Sequence, residues 1–244
     1  QFRHVSFEYP DDHMPVLSGI DLTIRPGEKV ALVGPSGGGK TTLCNLIPRF
    51  YEVSEGSIMI DGVDIRDVKQ HDLRDKIGLV PQKGLLFSGT IRSNLTYGAP
   101  DATDEQLEEV IKVAQAKEFI DHKEEHLDSK ISQGGTNVSG GQKQRLAIAR
   151  AIAKNPEIFI FDDSFSALDF KTDAMLRQEL NKMIKKTKNT VLIVGQRIAS
   201  IMSADQIIVL DEGRIVGKGK HDELMKDCKV YQEIAYSQLS KEEL

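Results

Sequence analysis

Residues 34–41 read Gly-Pro-Ser-Gly-Gly-Gly-Lys-Thr, and the reading of this stretch decides the fold. It satisfies the pattern G-x-x-x-x-G-K-[ST] in full. Immediately before it runs Lys29–Val33 (KVALV), a short apolar segment of the kind that forms a strand buried on both faces. After it comes the amphipathic stretch Thr41–Phe50, which reads as a helix. The glycines let successive backbone N–H groups turn inward around phosphate oxygens with no Cβ in the way. The helix N-terminus behind them adds partial positive charge. In such a loop Lys40 reaches the β- and γ-phosphates of a nucleotide and Thr41 sets its hydroxyl on Mg²⁺. A glycine-rich turn that binds nothing is the competing reading, and the Lys-Thr pair in a strand–loop–helix context argues against it.

Outward from the loop, buried strand patterns recur. Phe2–Ile24 alternates apolar and polar residues, interrupted at Pro10, Asp11 and Asp12, and reads as strand, turn, strand. Further strands are expected at Ser57–Ile60, Ile77–Val80, Glu157–Phe161, Thr190–Val194 and Gln206–Leu210, with a helix over Ala174–Ile184 and a turn at Gly213. From Leu85 to Ala153 strand-like runs give way to helical periodicity. Thr103 starts a helix there, with Leu107, Val110, Ile111 and Ala114 at spacings of three and four. The expected architecture is α/β: a mostly parallel sheet core (1–84 and 154–220) with an N-terminal antiparallel β region, an inserted α-helical lobe (85–153) and a helical tail (221–244).

Glu157–Phe161 leads straight into Asp162 and Asp163. A carboxylate at the C-terminal end of a buried parallel strand sits at the ligand edge of the sheet. Asp162 is placed to hold Mg²⁺, directly or through water, and Asp163 to orient an attacking water. A pair that caps the next segment is the alternative.

Composition narrows the partners. The 244 residues carry a formal net charge of −5, with 39% hydrophobic and 28% charged residues. No basic stripe for nucleic acid is evident. No apolar run approaches the roughly 20 residues of a membrane helix, and no signal peptide pattern is present. Cys44 and Cys228 lack metal-site spacing and suit a reducing compartment. The chain opens on Gln1 directly in a strand-like pattern, so it is expected to be a piece of a longer polypeptide.

Asn137–Arg150 reads NVSGGQKQRLAIAR. This resembles the signature motif of ABC ATPases, and the order of phosphate loop, Gln82, signature and acidic strand is similar to that family along essentially the whole chain. Leu86–Gly98 (LFSGTIRSNLTYG) resembles the exporter branch, especially multidrug and peptide exporters. The resemblance implies a P-loop (RecA-like) fold and an ATP hydrolase working with Mg²⁺. In it Gly34, Pro35, Ser36, Gly37, Gly38, Gly39, Lys40, Thr41 and Thr42 bind nucleotide, Tyr9 stacks on adenine and Val16 lines the same pocket. Gln82 touches Mg²⁺ together with Thr41 and Asp162. Ser166, Ala167, Leu168 and Asp169 form the D-loop. Val138, Ser139, Gly140, Gly141 and Gln142 contact ATP held by a second such domain, because this chain's own phosphate site is Gly34–Thr41. Two glycines and a hydroxyl ahead of a helix starting near Gln142 make a suitable anion site.

The chain departs from the family at two catalytic positions. Asp163 stands where Glu is usual, and Gln196 stands where the switch loop usually has His. A general base must come within roughly 2.6–3.2 Å of its proton or act through one water, and Asp is a methylene shorter. Gln196 can hydrogen-bond a phosphate but cannot carry imidazolium charge. Ser132-Gln133-Gly134-Gly135 also lacks a glutamate common in exporters. The expectation is one half of a heterodimeric exporter on the cytoplasmic face of the cell membrane, joined to a transmembrane domain, slow at its own site and lending an intact signature to its partner. An ATP-binding regulatory module with negligible hydrolysis is the alternative. A soluble ABC ATPase acting on DNA or ribosomes is another, against which the exporter-like 86–98 segment argues.

Overall fold

The computed structural model describes residues 1–10 and 14–239. Asp11 and Asp12 of the expected first turn and the end of the expected helical tail, 240–244, lie outside them. The first half of the chain runs β1 Phe2–Glu8, β2 Pro15–Leu22, β3 Lys29–Val33, α1 Lys40–Leu46, β4 Glu55–Ile60, β5 Val63–Asp64, α2 Gln70–Asp75, β6 Ile77–Val80, β7 Gly89–Thr90, α3 Ile91–Leu95, α4 Asp104–Val113 and α5 Lys117–Asp121. The second half runs β8 Lys130–Ile131, α6 Gly140–Ala153, β9 Ile158–Asp162, α7 Phe170–Thr187, β10 Thr190–Val194, α8 Ile198–Ile201, β11 Gln206–Asp211, β12 Arg214–Gly219, α9 His221–Asp227 and α10 Lys229–Tyr236. The chain forms two compact units, one from Gln1–Ile77 with Thr190–Leu244 and the other from Gly78–Asn189.

In the first unit β1 pairs antiparallel with β2 and with β4, giving the order β2-β1-β4-β5. Val5, Phe7, Leu17, Ile20 and Leu22 are buried, the inward set of that alternation. In the second sheet β3 is parallel to β10 on one side and to β11 on the other. β3 is thus a central strand, and Val30, Ala31, Leu32 and Val33 are buried on both of its faces, which is why KVALV carries no polar residue after Lys29. A core of Ala31, Val33, Ile198, Ile201, Ile207, Val209, Tyr231 and Ala235 ties β3 and β11 to α8 and α10.

In the second unit β9 lies beside β6, and α6 packs on α3 and α4. Leu95, Leu107, Ile111, Leu146 and Ile148 have no exposed surface. Thr103 caps α4 with the reciprocal Thr103–Gln106 pair expected of a capping box.

Sequence and structure part company at small elements. The residues Arg214–Gly219 form β12, antiparallel to β11, where only a turn at Gly213 is legible. An edge strand with alternating half-exposed residues and Lys218 and Arg214 along it lacks the apolar signal of a buried strand. The helical lobe contains a two-residue antiparallel pair, β7 with β8, too short for any periodicity. The signature helix begins at Gly140, two residues before the expected Gln142, because Ser139 serves as its cap. Cys44 and Cys228 are both buried and not joined to each other. Among the described residues, no helix is long and apolar enough to cross a membrane.

Candidate nucleotide site

The phosphate loop runs from the end of β3 into α1, and its backbone dictates its glycines. Gly34 has φ 151°, Gly37 81° and Gly39 95°, a region that costs an L-residue about 1–2 kcal/mol. A Cβ on Gly34 would collide with the Leu210 carbonyl oxygen of β11. A Cβ on Gly39 would lie 2.6 Å from Leu17 Cδ2 and 3.1 Å from the Val16 carbonyl. Val16, at the start of β2, is thus seated against the loop. The Lys40 ammonium donates to the carbonyls of Gly34 and Pro35 at 2.9 and 2.7 Å, so its charge is held over the loop. Pro35, Ser36, Gly37 and Thr41 are exposed, whereas Gly38 and Gly39 are buried.

Tyr9 reaches the same helix: its hydroxyl and the buried Thr42 Oγ1 are 2.9 Å apart. Its ring meets Phe7 and Tyr51 edge-on, with centroids 4.9 and 5.1 Å away. Perpendicular contacts of this kind hold the ring in place. Gln196, after β10, is exposed.

The acidic positions lie in the second unit. Asp162 ends β9 and is buried, and so is Asp163. The Gln82 Nε2 donates to Asp163 Oδ2 at 3.0 Å. Asp163 has φ 47°, a left-handed conformation that Asp tolerates better than most residues. Two bonds lock the turn: Ser166 Oγ donates to the Asp163 carbonyl at 2.9 Å, and Ser164 Oγ donates to the Val80 carbonyl at 2.6 Å. The D-loop then ends at Asp169, which caps α7 by accepting from the Thr172 N–H at 2.9 Å. That bond holds the Asp169 carboxyl below its usual range.

At the signature, the Ser139 hydroxyl accepts from the Gln142 N–H at 3.2 Å, and Gln142 Oε1 accepts from the Ser139 N–H at 3.0 Å. The Ser139 oxygen is used as acceptor, which leaves its O–H proton to donate outward. Ser139 and Gly140 are exposed, and nothing lies within 4 Å of where a Gly140 side chain would start. The D-loop flanks this end: a Cβ on Gly141 would sit 3.5 Å from the Ala167 carbonyl and 3.9 Å from Leu168. Val138 is buried beneath. An open, capped N-terminus on a helix of 14 residues has the backbone donors and dipole that suit an anion.

One residue of this half was not legible in the sequence. Gln144 is 1% exposed. Its Nε2 donates to the Pro81 carbonyl at 3.0 Å, and its Oε1 accepts from the Gly84 N–H at 2.8 Å. It therefore ties α6 to the loop that carries Gln82. Flanked in sequence by Lys143 and Arg145, it carries no sequence signal of burial.

The second unit offers an Asp162 carboxylate and a Gln82 amide oxygen, and the first offers a Thr41 hydroxyl, all donor types that suit Mg²⁺. Few protein carboxylates fit an ion that takes much of its shell from water and substrate phosphates. Among the described residues no cluster of three or more His, Cys, Asp or Glu side chains could hold a metal ion.

Comparisons with known proteins place this arrangement. The family model for ABC transporters matches residues 17–166. An uncharacterized ABC transporter ATP-binding protein of Mycobacterium tuberculosis is 47% identical over 236 residues, 96% of this chain and 40% of the relative. A putative multidrug export ATP-binding/permease protein of Staphylococcus aureus is 46% identical over 231 residues, 95% of this chain and 40% of the relative. The structure of a bacterial Atm1-family ABC exporter with ATP bound superposes with a TM-score of 0.93 at 37% identity, covering 98% of this chain and 41% of that one. The chain thus spans about 40% of the length of the curated relatives it matches. With the phosphate loop, the acidic strand end and the capped signature helix in one chain, it belongs to the ABC transporter family, as an ATP-binding domain.

Proposed function

We propose that this domain is the ATP-driven motor of a membrane exporter, that it holds ATP firmly at its own phosphate loop, and that it hydrolyses it slowly there. The observation that carries the reading is the pair of anion-binding helix ends, α1 behind Lys40 and α6 behind Ser139. One nucleotide uses one of them, so the second end serves ATP on another domain. Lys40 takes the β- and γ-phosphates, Thr41, Gln82 and Asp162 take Mg²⁺, and Tyr9 and Val16 line the adenine side. Ser139 donates its O–H to a γ-phosphate across the dimer, with Gly140 and Gly141 supplying N–H groups.

Hydrolysis needs a group that orients water and accepts its proton, and little else, since phosphoryl transfer rests on positioning and electrostatics. Asp163 is a short carboxylate with one oxygen already accepting from Gln82. Gln196 brings no positive charge. Both features favour a slow site, with the faster chemistry on a partner domain that has Glu and His at these places. A regulatory module with negligible turnover is the limiting form of the same reading, and the same two residues favour it.

The partner on the membrane side is a transmembrane domain. Leu85, Phe87 and Tyr97 are exposed, the Phe87 and Tyr97 rings meet tilted with centroids 4.6 Å apart, and the Arg150 guanidinium lies 5.2 Å over Phe87. An exposed apolar patch with a cation beside it suits a short helix of another domain. The domain then works at the cytoplasmic face of the membrane.

The reading is tested by reconstituting the complete polypeptide with its partner in vesicles and measuring Mg·ATP binding and ATP-dependent export. Wild type binds and exports, whereas Lys40→Ala loses binding at this loop. Equal nucleotide affinity in both proteins overturns the assignment.

A further inference from the structure

We propose that Gln238, in the turn after α10, is a positioning residue for the switch loop that carries Gln196. Its side-chain amide makes two bonds to the backbone of that loop. The Nε2 donates to the Gln196 carbonyl at 2.6 Å, and the Oε1 accepts from the Ile198 N–H at 2.8 Å. One planar group thus bridges the loop from just before to just after Arg197, and fixes the spacing between the last strand residues and the first turn of α8. The Ile198 N–H is the first of a four-residue helix with no side-chain cap of its own, so Gln238 satisfies one of the donors that a helix start leaves open.

The amide is itself held. The Gln238 and Leu239 N–H groups both donate to the Ala235 carbonyl, at 3.0 and 2.9 Å. Ala235 and Tyr231 are fully buried in the same core as Ile198 and Ile201, and Leu239 packs against that core. The switch loop therefore rests on the C-terminal helix through apolar contact below and through one side-chain clasp above. Loops that close on a substrate depend on few residues for their geometry, and those residues act on the rate without touching the reacting atoms. Gln238 bonds the backbone of Gln196, so the direction of the switch side chain depends on the C-terminal helix. The C-terminal helix thereby becomes an element that sets the switch, in addition to closing the core.

This rests on the switch-loop reading of Gln196 given above, and the main readout is chosen not to depend on hydrolysis. In the complete transporter with its partner domain, Gln238→Met keeps the length of the side chain and removes both bonds. Gln238→Glu keeps an acceptor for Ile198 and loses the donor to Gln196. Amide exchange is followed at Ile198, with Leu192 and Val209 as references. We expect Gln238→Met to speed exchange at Ile198 by about tenfold, with the two reference amides and the melting midpoint unchanged. Gln238→Glu should retain the protection. In an Asp163→Glu/Gln196→His background, where turnover at this site is readable, Gln238→Met should lower kcat by about threefold with KM for ATP unchanged. Unaltered Ile198 exchange in Gln238→Met overturns the proposal. So does a general loosening, with Leu192 exchange faster and the melting midpoint lower, since that would make Gln238 structural only. A failure of the slow-site reading shows separately, as fast turnover of the wild-type site with the exchange pattern intact.

Discussion

Gln82 and Asp163 are hydrogen-bonded through their side chains at 3.0 Å, Nε2 to Oδ2. The second residue after β6 and the first after β9 are therefore a fixed pair, which leaves the Gln82 Oε1 as the amide atom able to ligate a metal. The carboxylate beside it is buried and set on a left-handed backbone. Its conformation suits Asp and is less easy for the longer Glu that the family usually has.

That relationship shapes the expected result of restoring the family residues. Asp163→Glu combined with Gln196→His should raise steady-state ATP turnover at this site, by about tenfold or more if base reach and switch charge both matter. The same change should cost about 1 kcal/mol of stability, because Glu lacks the local preference of Asp for this backbone region. Turnover at saturating Mg·ATP and a thermal melt of both proteins measure the two effects. An unchanged rate means that these positions do not limit the site.

The phosphate loop offers a stability test of its geometry. Gly34→Ala forces a Cβ into the Leu210 carbonyl and should destabilise by about 3 kcal/mol. Gly39→Ala meets the far end of the Leu17 side chain first, which can move, and should cost about 1–2 kcal/mol of backbone strain. Denaturant midpoints of the two variants should fall in that order. The reverse order contradicts the packing of β11 against the loop.

A pH effect is expected from the C-terminal helices. Burial, with the Asp222 charge adding to it, pushes the Tyr231 phenol up to about 12. The unfolded chain ionises this group near 10. Between these values the unfolded state has released the proton and the folded state has not, so stability is full below pH 10 and falls as pH rises toward 12. Tyr231→Phe removes this slope. It also breaks the 2.8 Å bond to His221 Nδ1, costing about 1 kcal/mol at neutral pH. Melts from pH 8 to 11.5 on both proteins decide it, and equal slopes count against the buried phenol.

The parts that could be read in advance are those with strong local chemistry. KVALV before a glycine loop placed β3, and Thr103 followed by apolar residues at spacings of three and four placed α4, because buried strands and amphipathic helices each have a short-range residue pattern. The acidic pair and the signature were legible as residue types at fixed places. What stayed hidden depends on distant contacts. Gln144 and Gln238 look like surface amides until packing brings a loop to each of them. The edge strand β12 lacks an apolar face, and the residue types around Asp163 carry no signal of its left-handed backbone.

The central claim is that this chain contributes a working signature and a slow base, and unequal damage tests it most directly. In the complete transporter assembled with its partner, Ser139→Arg puts a bulky cation where a γ-phosphate must approach and removes the outward-donating hydroxyl. Asp163→Asn removes a carboxylate from a site that is already slow. ATP turnover and transport of each assembly are measured against wild type. The account predicts that Ser139→Arg abolishes most activity, by about a hundredfold as for loss of a donor to transition-state charge, while Asp163→Asn retains most of it. Equal loss from both changes contradicts the account and makes Asp163 a working base despite its shorter side chain.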